Sequence, residues 1–213
     1  MKKTLLFDLD GTLVDSTTAI LDSCKSAFKI LGLKPALDND IKKLIGFTLD
    51  EIFIKLYKDK EELAGDFIEE YRKKYHQIYL EQTHLLPQVK EALELANGFA
   101  DLAVVTTKHS CFTKPLLEFL KINHFFKALV CYDDVRFAKP HPESIFKALS
   151  ILNKDRKNAF MIGDTKLDIL AAKAAEISYI ALNCGYESKE SLKNYSELIK
   201  QNAYEAVCYI KYL

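Results

Sequence analysis

Short apolar runs recur along this chain, and the residue that follows several of them is polar. The first run covers residues 4–7 and ends at Asp8. Its apolar positions are consecutive rather than alternating, which is typical of a strand that is buried on both faces of a parallel sheet. Later runs of the same kind cover residues 102–106, 128–132, 159–162 and 179–182. The pattern therefore predicts five buried strands.

Between these runs the apolar residues recur at steps of three and four, the spacing of one helix face. Segments of this kind cover residues 87–97, 112–121, 142–152 and 168–175. Pro142 suits the first position of its helix, and Pro115 is tolerated if it lies within the first turn. Strands that alternate with helices build a doubly wound parallel sheet, so the predicted fold class is α/β.

Residues 15–82 interrupt this alternation with helical periodicity alone. Thr48 and Glu51 have the spacing of a capping box at a helix start. One apolar stripe, which we interpret as core packing, comprises Leu63, Phe67, Tyr71, Tyr75 and Tyr79. We predict an inserted helical domain over residues 15–82 and an α/β core made of residues 1–14 and 83–213.

The pattern of apolar and polar residues is weaker in the carboxyl-terminal part, after residue 182. We predict a short helix near residues 196–202 and an edge strand at 206–210. The chain shows neither internal repeats nor low-complexity tracts, so a repeat architecture is excluded.

Composition narrows the class of protein. The chain has 213 residues, enough for one sizeable domain or for one domain with a smaller insertion. Lysine plus arginine and aspartate plus glutamate both number 30, so the net charge is zero. A protein that binds nucleic acid through the phosphate backbone needs a basic surface, so we expect no nucleic-acid partner.

Membrane insertion and secretion are also disfavoured by the sequence. No apolar segment approaches the roughly 18–20 residues of a membrane span, and Asp8 and Asp10 break the first apolar run. The five cysteines lack ligand spacing and are odd in number: Cys24, Cys111, Cys131, Cys184 and Cys208. We interpret them as reduced thiols of a cytoplasmic protein that does not bind zinc through them.

The first candidate site residues lie where the first strand ends. Asp8 and Asp10 lie one residue apart and are followed by Gly11, which permits a sharp turn close to a ligand. Two such carboxylates repel unless a cation or a shared proton intervenes, and Mg²⁺ prefers oxygen ligands. One carboxylate could instead be a nucleophile and the other a proton shuttle, or the pair could be ordinary turn chemistry.

Other strand ends carry groups that suit phosphate chemistry. Thr106 supplies a hydroxyl after the second strand, and Lys139 lies in a proline-restricted loop as a positive point charge. Asp164 follows the fourth strand, and Asp168 lies one helical turn further on. Asp168 also suits a helix amino terminus as a negative charge.

These motifs resemble the four signatures of the haloacid dehalogenase-like (HAD) hydrolases, in the order of that family. The first is DxDGTLVDS at residues 8–16, and the second is Thr106 after an apolar strand. The third is the KPxP context of Lys139, and the fourth is GDxxxD at residues 163–168. The resemblance covers essentially the whole chain and implies a HAD-like, Rossmann-type core, with residues 15–82 as an α-helical cap domain.

The resemblance implies a mechanism with assigned residues. Asp8 would form an aspartyl-phosphate, Asp10 would act as acid and base, and Thr106 and Lys139 would complete the catalytic set. Residues implied to hold Mg²⁺ are Asp8, Asp10 through its backbone carbonyl, Asp164 and Asp168, the last directly or by supporting the others. Residues implied to bind substrate are Thr12, Gly46, Thr107 and Lys108.

Within the family the chain most resembles phosphoglycolate phosphatases, which implies a small phosphate ester as substrate, most specifically 2-phosphoglycolate. It departs from that branch at Gln88, Thr107 and Glu176. The alternatives are a phosphosugar mutase of the β-phosphoglucomutase kind, and a pyrophosphatase or nucleotidase. A dehalogenase is disfavoured by Asp10, and a non-catalytic protein by the complete residue set. Both a monomer and a homodimer stay open.

Overall fold

The computed structural model describes residues 2–213 and divides them into two compact units. One unit comprises residues 2–15 and Leu85–Leu213, and the other comprises Ser16–His84. The strands are β1 (Lys3–Phe7), β2 (Val14–Asp15), β3 (His84–Leu85), β4 (Ala100–Val105), β5 (Phe126–Val130), β6 (Ala159–Gly163), β7 (Ser178–Leu182) and β8 (Ile199–Lys200). The helices are α1 (Thr17–Ile30), α2 (Asp38–Lys42), α3 (Leu49–Leu56), α4 (Ala64–Ile78), α5 (Val89–Asn97), α6 (Ser110–Phe119), α7 (Glu143–Leu152), α8 (Lys166–Ala174), α9 (Lys189–Leu192) and α10 (Ala203–Lys211).

The larger unit is built on a six-stranded sheet in the order β5-β4-β1-β6-β7-β8. Every neighbouring pair is parallel, and in the register Phe7 of β1 lies opposite Val104 of β4 and Ile162 of β6. The predicted α/β class and parallel sheet are confirmed. Because β1 lies between β4 and β6, the residues that follow these three strands are neighbours at one edge of the sheet.

Both faces of the sheet are covered. Leu6 packs into a core cluster with Ile145 and Leu149 of α7 and Ala172 of α8. Successive strand side chains point to opposite faces, so Leu5 and Phe7 face the other side, and all three are fully buried. The consecutive apolar residues of the first run therefore reflect burial on two faces.

The unit Ser16–His84 contains α1 to α4, with α1 packed along α4. Rings of α4 and of Tyr79, the residue after its end, form a column in which Tyr71 and Tyr75 are 5.4 Å apart and Tyr75 and Tyr79 are 5.3 Å apart, centroid to centroid. These tyrosines are buried, as the core-packing interpretation predicts. The capping box at α3 is also present, since Thr48 N donates to Glu51 Oε2 over 3.1 Å.

The prediction for the carboxyl-terminal part is wrong. Residues 199–200 form a strand that pairs with β7, and the predicted strand at 206–210 lies inside helix α10. The buried residues of this helix recur at helical steps: Ala203, Ala206, Val207 and Ile210. The side chain of Asn202 caps the helix by accepting a hydrogen bond from Glu205 N at 3.0 Å.

Several element boundaries also differ from the prediction by a few residues. Helix α6 begins at Ser110 and not at residue 112, which moves Pro115 beyond the first turn. Strand β5 ends at Val130, because Cys131 N donates to Asp134 Oδ2 (2.9 Å) and the chain enters a short 3₁₀ turn. Among the described residues 2–213, no helix combines the length and apolar character needed to cross a bilayer.

Candidate active site

Three strand ends of the larger unit bring polar side chains to one edge of the sheet. Asp8 follows β1, Thr106 follows β4, and Asp164 follows β6. The backbone extends the pairing to these positions, since Asp8 N donates to Ile162 O over 2.9 Å and Thr106 N donates to Val130 O over 3.0 Å. All three side chains are buried. In open α/β sheets this edge is where ligands bind.

Lys139 enters this cluster from the loop before α7. Its side chain is 3% exposed, and its Nζ donates to Asp8 Oδ1 at 2.8 Å, Asp168 Oδ1 at 2.5 Å and Val105 O at 3.1 Å. The carboxylate of Glu143 closes the loop by accepting hydrogen bonds from the backbone N–H groups at 136 and 137. The proline-restricted loop thus presents a buried ammonium group to two carboxylates.

Asp168 connects this ammonium group to helix α8. Its Oδ2 accepts hydrogen bonds from Thr165 N at 3.1 Å and Thr165 Oγ1 at 2.8 Å, which is the capping box of that helix. Its Oδ1 accepts from Lys139. One carboxylate therefore caps the helix and fixes the lysine.

Asp164 is oriented by two donors. Thr12 Oγ1 donates to its Oδ1 at 2.9 Å, and the backbone N–H of Tyr186 donates to its Oδ2 at 2.8 Å. Thr12 is fully buried in this contact. The structure therefore places Thr12, predicted to bind substrate, directly on a carboxylate of the site.

Glycines make room for Asp164 on two sides. Gly11 has φ +85°, and a β-carbon there would collide with the Asp164 carboxylate. A β-carbon at Gly185 would collide with the same group. The sequence interpretation missed Gly185 and Tyr186, although both follow closely on the end of β7, at the same edge of the sheet. Their position shortly after an apolar run is the sequence signal that could have identified these two residues.

The carboxylates of Asp8, Asp164 and Asp168 form a group suited to a metal ion. One oxygen of each lies within 4.8 Å of the others, and all three residues are buried. Such hard oxygen donors fit a divalent cation such as Mg²⁺. Within residues 2–213 the carboxylate of Asp10 is not part of this group.

The charges of this cluster shift its proton affinities. Burial raises the pKa of Asp8 to about 7, with Asp168 adding to the rise and Lys139 opposing it. Burial, reinforced by Asp8 and Asp168, raises the pKa of Asp164 well above its ordinary value. Burial lowers the pKa of Lys139, but its two carboxylate partners outweigh that effect and the net pKa is raised. A bound dication would offset this excess of negative charge.

The second carboxylate of the first motif has a separate partner. Asp10 Oδ2 lies 2.9 Å from Lys108 Nζ, and Lys108 N donates to Thr106 Oγ1 at 3.1 Å. Thr107 lies between Thr106 and Lys108 in sequence and is partly buried. These contacts join three of the predicted residues, Asp10, Lys108 and Thr106. Gly46 belongs to the unit Ser16–His84 and has φ +107°.

Known proteins are similar to this chain in sequence and in architecture. The family model of the haloacid dehalogenase-like hydrolases matches residues 5–182. A phosphoglycolate phosphatase of Colwellia psychrerythraea is 35% identical over 91% of this chain and 90% of that protein. The pyrophosphatase PpaX of Oceanobacillus iheyensis is 31% identical over 91% of this chain and 89% of that protein.

A solved structure agrees over the full length. The crystal structure of a predicted phosphatase from Clostridium acetobutylicum superimposes with a TM-score of 0.91 at 28% identity, covering 100% of both chains. The family model spans most of the sequence, including the strand ends that carry Asp8, Thr106 and Asp164. The chain therefore belongs to the haloacid dehalogenase-like hydrolases, as its four motifs predict.

Proposed function

We propose that this protein is a Mg²⁺-dependent phosphatase that hydrolyses a small phosphate monoester through an aspartyl-phosphate on Asp8. The observation that carries the proposal is the position of Asp8. Its carboxylate is buried at the carboxyl end of the central strand, bonded to Lys139 at 2.8 Å and grouped with Asp164. The proposed nucleophile Asp8, the cation of Lys139 and the proposed metal ligand Asp164 thereby lie close together.

In the first step an oxygen of Asp8 attacks phosphorus and the bond from phosphorus to the ester oxygen breaks. Asp10 donates a proton to the departing alkoxide. In the second step water attacks the same phosphorus, and Asp10 takes its proton. The acyl-phosphate bond then breaks, which releases inorganic phosphate and restores Asp8.

Repulsion between an anionic nucleophile and an anionic ester must be offset for this chemistry. Lys139 Nζ, already 2.8 Å from Asp8, supplies a fixed positive charge, and the Thr106 hydroxyl supplies a donor. A Mg²⁺ ion held by Asp8, Asp164 and the carbonyl of Asp10 would neutralise further charge on the phosphoryl oxygens.

Asp168 and Thr12 act through their neighbours in this proposal. Both oxygens of Asp168 accept hydrogen bonds, from Lys139 and from Thr165, so we assign it to positioning the lysine. Thr12 donates to Asp164 and fixes the orientation of that carboxylate, which would hold the metal. Neither residue needs to contact the substrate.

We further propose 2-phosphoglycolate as the substrate. The support is the similarity to phosphoglycolate phosphatases over nine-tenths of the chain. The second candidate is inorganic pyrophosphate, which the similarity to the pyrophosphatase PpaX favours.

Phosphate release from a panel of esters and from pyrophosphate, with and without Mg²⁺, tests the proposal. We expect Mg²⁺-dependent release that is greatest for 2-phosphoglycolate. Asp8→Asn should abolish it, whereas Asp59→Asn, at an exposed position of the unit Ser16–His84, should not. Release that persists in the Asp8 variant would reject the nucleophile, and release from pyrophosphate alone would select the second candidate.

A further inference from the structure

A cavity lies at the amino-terminal edge of the sheet, at the end of β1 that is remote from Asp8. Its volume is about 180 Å³, and its lining comprises Lys2, Thr4, Asn153, Lys154, Asp155 and Asn158. Thr4 and Asp8 are four residues apart along β1 and its extension, which separates them by about 13 Å. The cavity is therefore distinct from the proposed active site.

The cavity borders a cluster of positive charge. Three lysines pair with the single carboxylate of Asp101, at 3.1, 2.6 and 2.9 Å: Lys2, Lys127 and Lys154. A second carboxylate, that of Asp155, lines the cavity and accepts a hydrogen bond from a backbone N–H at 3.0 Å. Three ammonium groups thus face two carboxylates, so one positive charge stays uncompensated.

The lining has hydrogen-bond donors to spare for a ligand. An ammonium group carries three N–H donors, and Asp101 is the only ion-pair partner that residues 2–213 offer to Lys2 and Lys154. Three further side chains of the lining have no hydrogen-bond partner within the same residues: Thr4, Asn153 and Asn158. Five side chains of the lining can therefore donate to one ligand.

Backbone structure holds these donors in place. Thr4 is buried in the central strand, and its N–H donates to Asn158 O at 2.9 Å. Asn153 ends helix α7 with φ +52°, and the next N–H, that of Lys154, donates to Leu149 O at 2.9 Å. Donors that are already fixed lose little conformational entropy when a ligand binds.

The size and the donors of the cavity define the class of ligand. Pockets for drug-sized molecules measure roughly 300–1,000 Å³, so this cavity suits a smaller species. The positive charge selects an anion, and hydrogen bonds from ammonium groups to anionic oxygens are strong. A phosphate ion offers four oxygens to the donors, whereas a simple carboxylate offers two.

We infer that this cavity is a second binding site, for a free phosphate ion held by the ammonium groups of Lys2 and Lys154 and by the neutral donors of the lining. The ion adds bonds to lysines that stay paired with Asp101, because each ammonium group has donors left over. The inference does not depend on the proposed function.

The test is a titration of ¹⁵N-labelled protein with phosphate in the absence of Mg²⁺, followed by NMR. Sodium chloride and sodium acetate at equal ionic strength are the reference salts. We expect saturable shifts of the backbone N–H signals of residues 153–158 with a roughly millimolar Kd. Chloride and acetate should cause much smaller shifts of these signals.

Two lysine variants test whether the cavity itself binds the ion. Lys154→Met should weaken phosphate about tenfold, since it removes a donor and a charge from the lining. Lys127→Met removes a charge from the same cluster, but Lys127 lies outside the lining and is mostly exposed, so the Kd should change less than about twofold. Equal weakening by both variants would show a general effect of charge and overturn the inference.

Asn153→Asp provides a third variant that keeps both lysines. Aspartate tolerates the left-handed backbone of this position, and its carboxylate would repel the ion, so the saturable shifts should disappear. Urea unfolding verifies that each variant is folded. Wild-type signals of residues 153–158 that do not shift, or that shift equally with acetate, would overturn the inference. Because these signals are local to the cavity, the result stands whether or not the protein hydrolyses an ester.

Discussion

Asp168 accepts a hydrogen bond from Lys139 at 2.5 Å while its other oxygen caps helix α8. Lys139 is thereby tied to the first turn of a helix through a residue 29 positions further along the chain. Lys139 is buried with two carboxylates, so removing one of them leaves its charge partly uncompensated.

Asp168→Asn should therefore reduce kcat by at least about tenfold and lower the free energy of unfolding by about 1–3 kcal/mol. The amide can accept one hydrogen bond but carries no charge for Lys139. Phosphate-release kinetics and urea unfolding measure the two effects. Asp155→Asn, an exposed carboxylate, provides the control. Unchanged kcat in Asp168→Asn would show that Lys139 does not depend on it.

A methyl group at Gly185 should disable the site. The β-carbon of Gly185→Ala would meet the carboxylate of Asp164, and relieving that overlap must displace a proposed metal ligand. We expect a loss of about 1–3 kcal/mol of stability and weaker Mg²⁺ binding, measured by urea unfolding and calorimetry.

Gly65 offers a matched control for that substitution. It lies in helix α4, and apart from its chain neighbours and the backbone of its own helix no atom of residues 2–213 is within 4 Å of a β-carbon placed there, so Gly65→Ala should stabilise the protein by about 0.5–1 kcal/mol. Equal effects of the two substitutions would contradict the close packing of Gly185 around Asp164.

Mg²⁺ binding should depend on pH through Asp8. Its pKa is raised to about 7 in the native state from an ordinary value of 3.8, so the native metal-free protein holds a proton that the unfolded chain has lost. The stability of the metal-free protein should therefore fall as pH rises from about 4 to about 7. Mg²⁺ must displace this proton, so its affinity should rise over the same range.

Thermal unfolding with and without Mg²⁺ across this pH range measures both trends. The stabilisation by Mg²⁺ should grow with pH and level off above about 7. Asp8→Asn should abolish most of the Mg²⁺ effect and flatten the pH dependence. A stabilisation by Mg²⁺ that is independent of pH would contradict the proton held by Asp8.

The contribution of a second carboxylate, Asp101, to stability has the opposite dependence on pH. Asp101 in β4 is nearly buried and pairs with Lys2, Lys127 and Lys154 at 3.1, 2.6 and 2.9 Å. Burial acts to raise its pKa, but the three lysines outweigh burial and hold the pKa below its ordinary value of 3.8. Its contribution to stability is therefore complete above that value and is lost as pH falls below it.

Asp101→Asn should cost about 1–2 kcal/mol of unfolding free energy at pH 7. The difference from wild type should shrink as pH falls from about 4 toward 2, because the wild-type carboxyl then becomes neutral too. Urea unfolding at several pH values measures this difference. A difference that stays constant over the acid range would show that the ion pairs contribute little.

The sequence was sufficient to predict five of the six strands of the sheet and the polar residues that follow them, because strand burial and strand ends are local signals. Asp8 and Lys139 could each be identified from their own neighbours in sequence. Their contact, across 131 positions, is shown by the structure, because Lys139 lies in the loop between β5 and α7 and not at a strand end. The structure adds which oxygen each donor contacts.

Features with a weak local signal or none were missed. The carboxyl-terminal part was assigned wrongly because a short apolar run such as Ala206 and Val207 fits a strand and a helix equally well. The helix cap at Asn202 was also overlooked. Gly185 matters through its contact with Asp164, which depends on how two neighbouring strands end. The pairing of Lys108 with Asp10 likewise depends on side-chain directions that periodicity does not report.

The most direct test of the central proposal is to identify the residue that carries phosphate during turnover. Wild-type protein mixed with 2-phosphoglycolate and Mg²⁺ would be quenched in acid and digested, and the phosphorylated peptide would be sequenced by mass spectrometry. We predict a phosphoryl group on Asp8, together with its loss in Asp8→Asn. A phosphoryl group on any other residue, or turnover without a phosphorylated protein, would contradict the account.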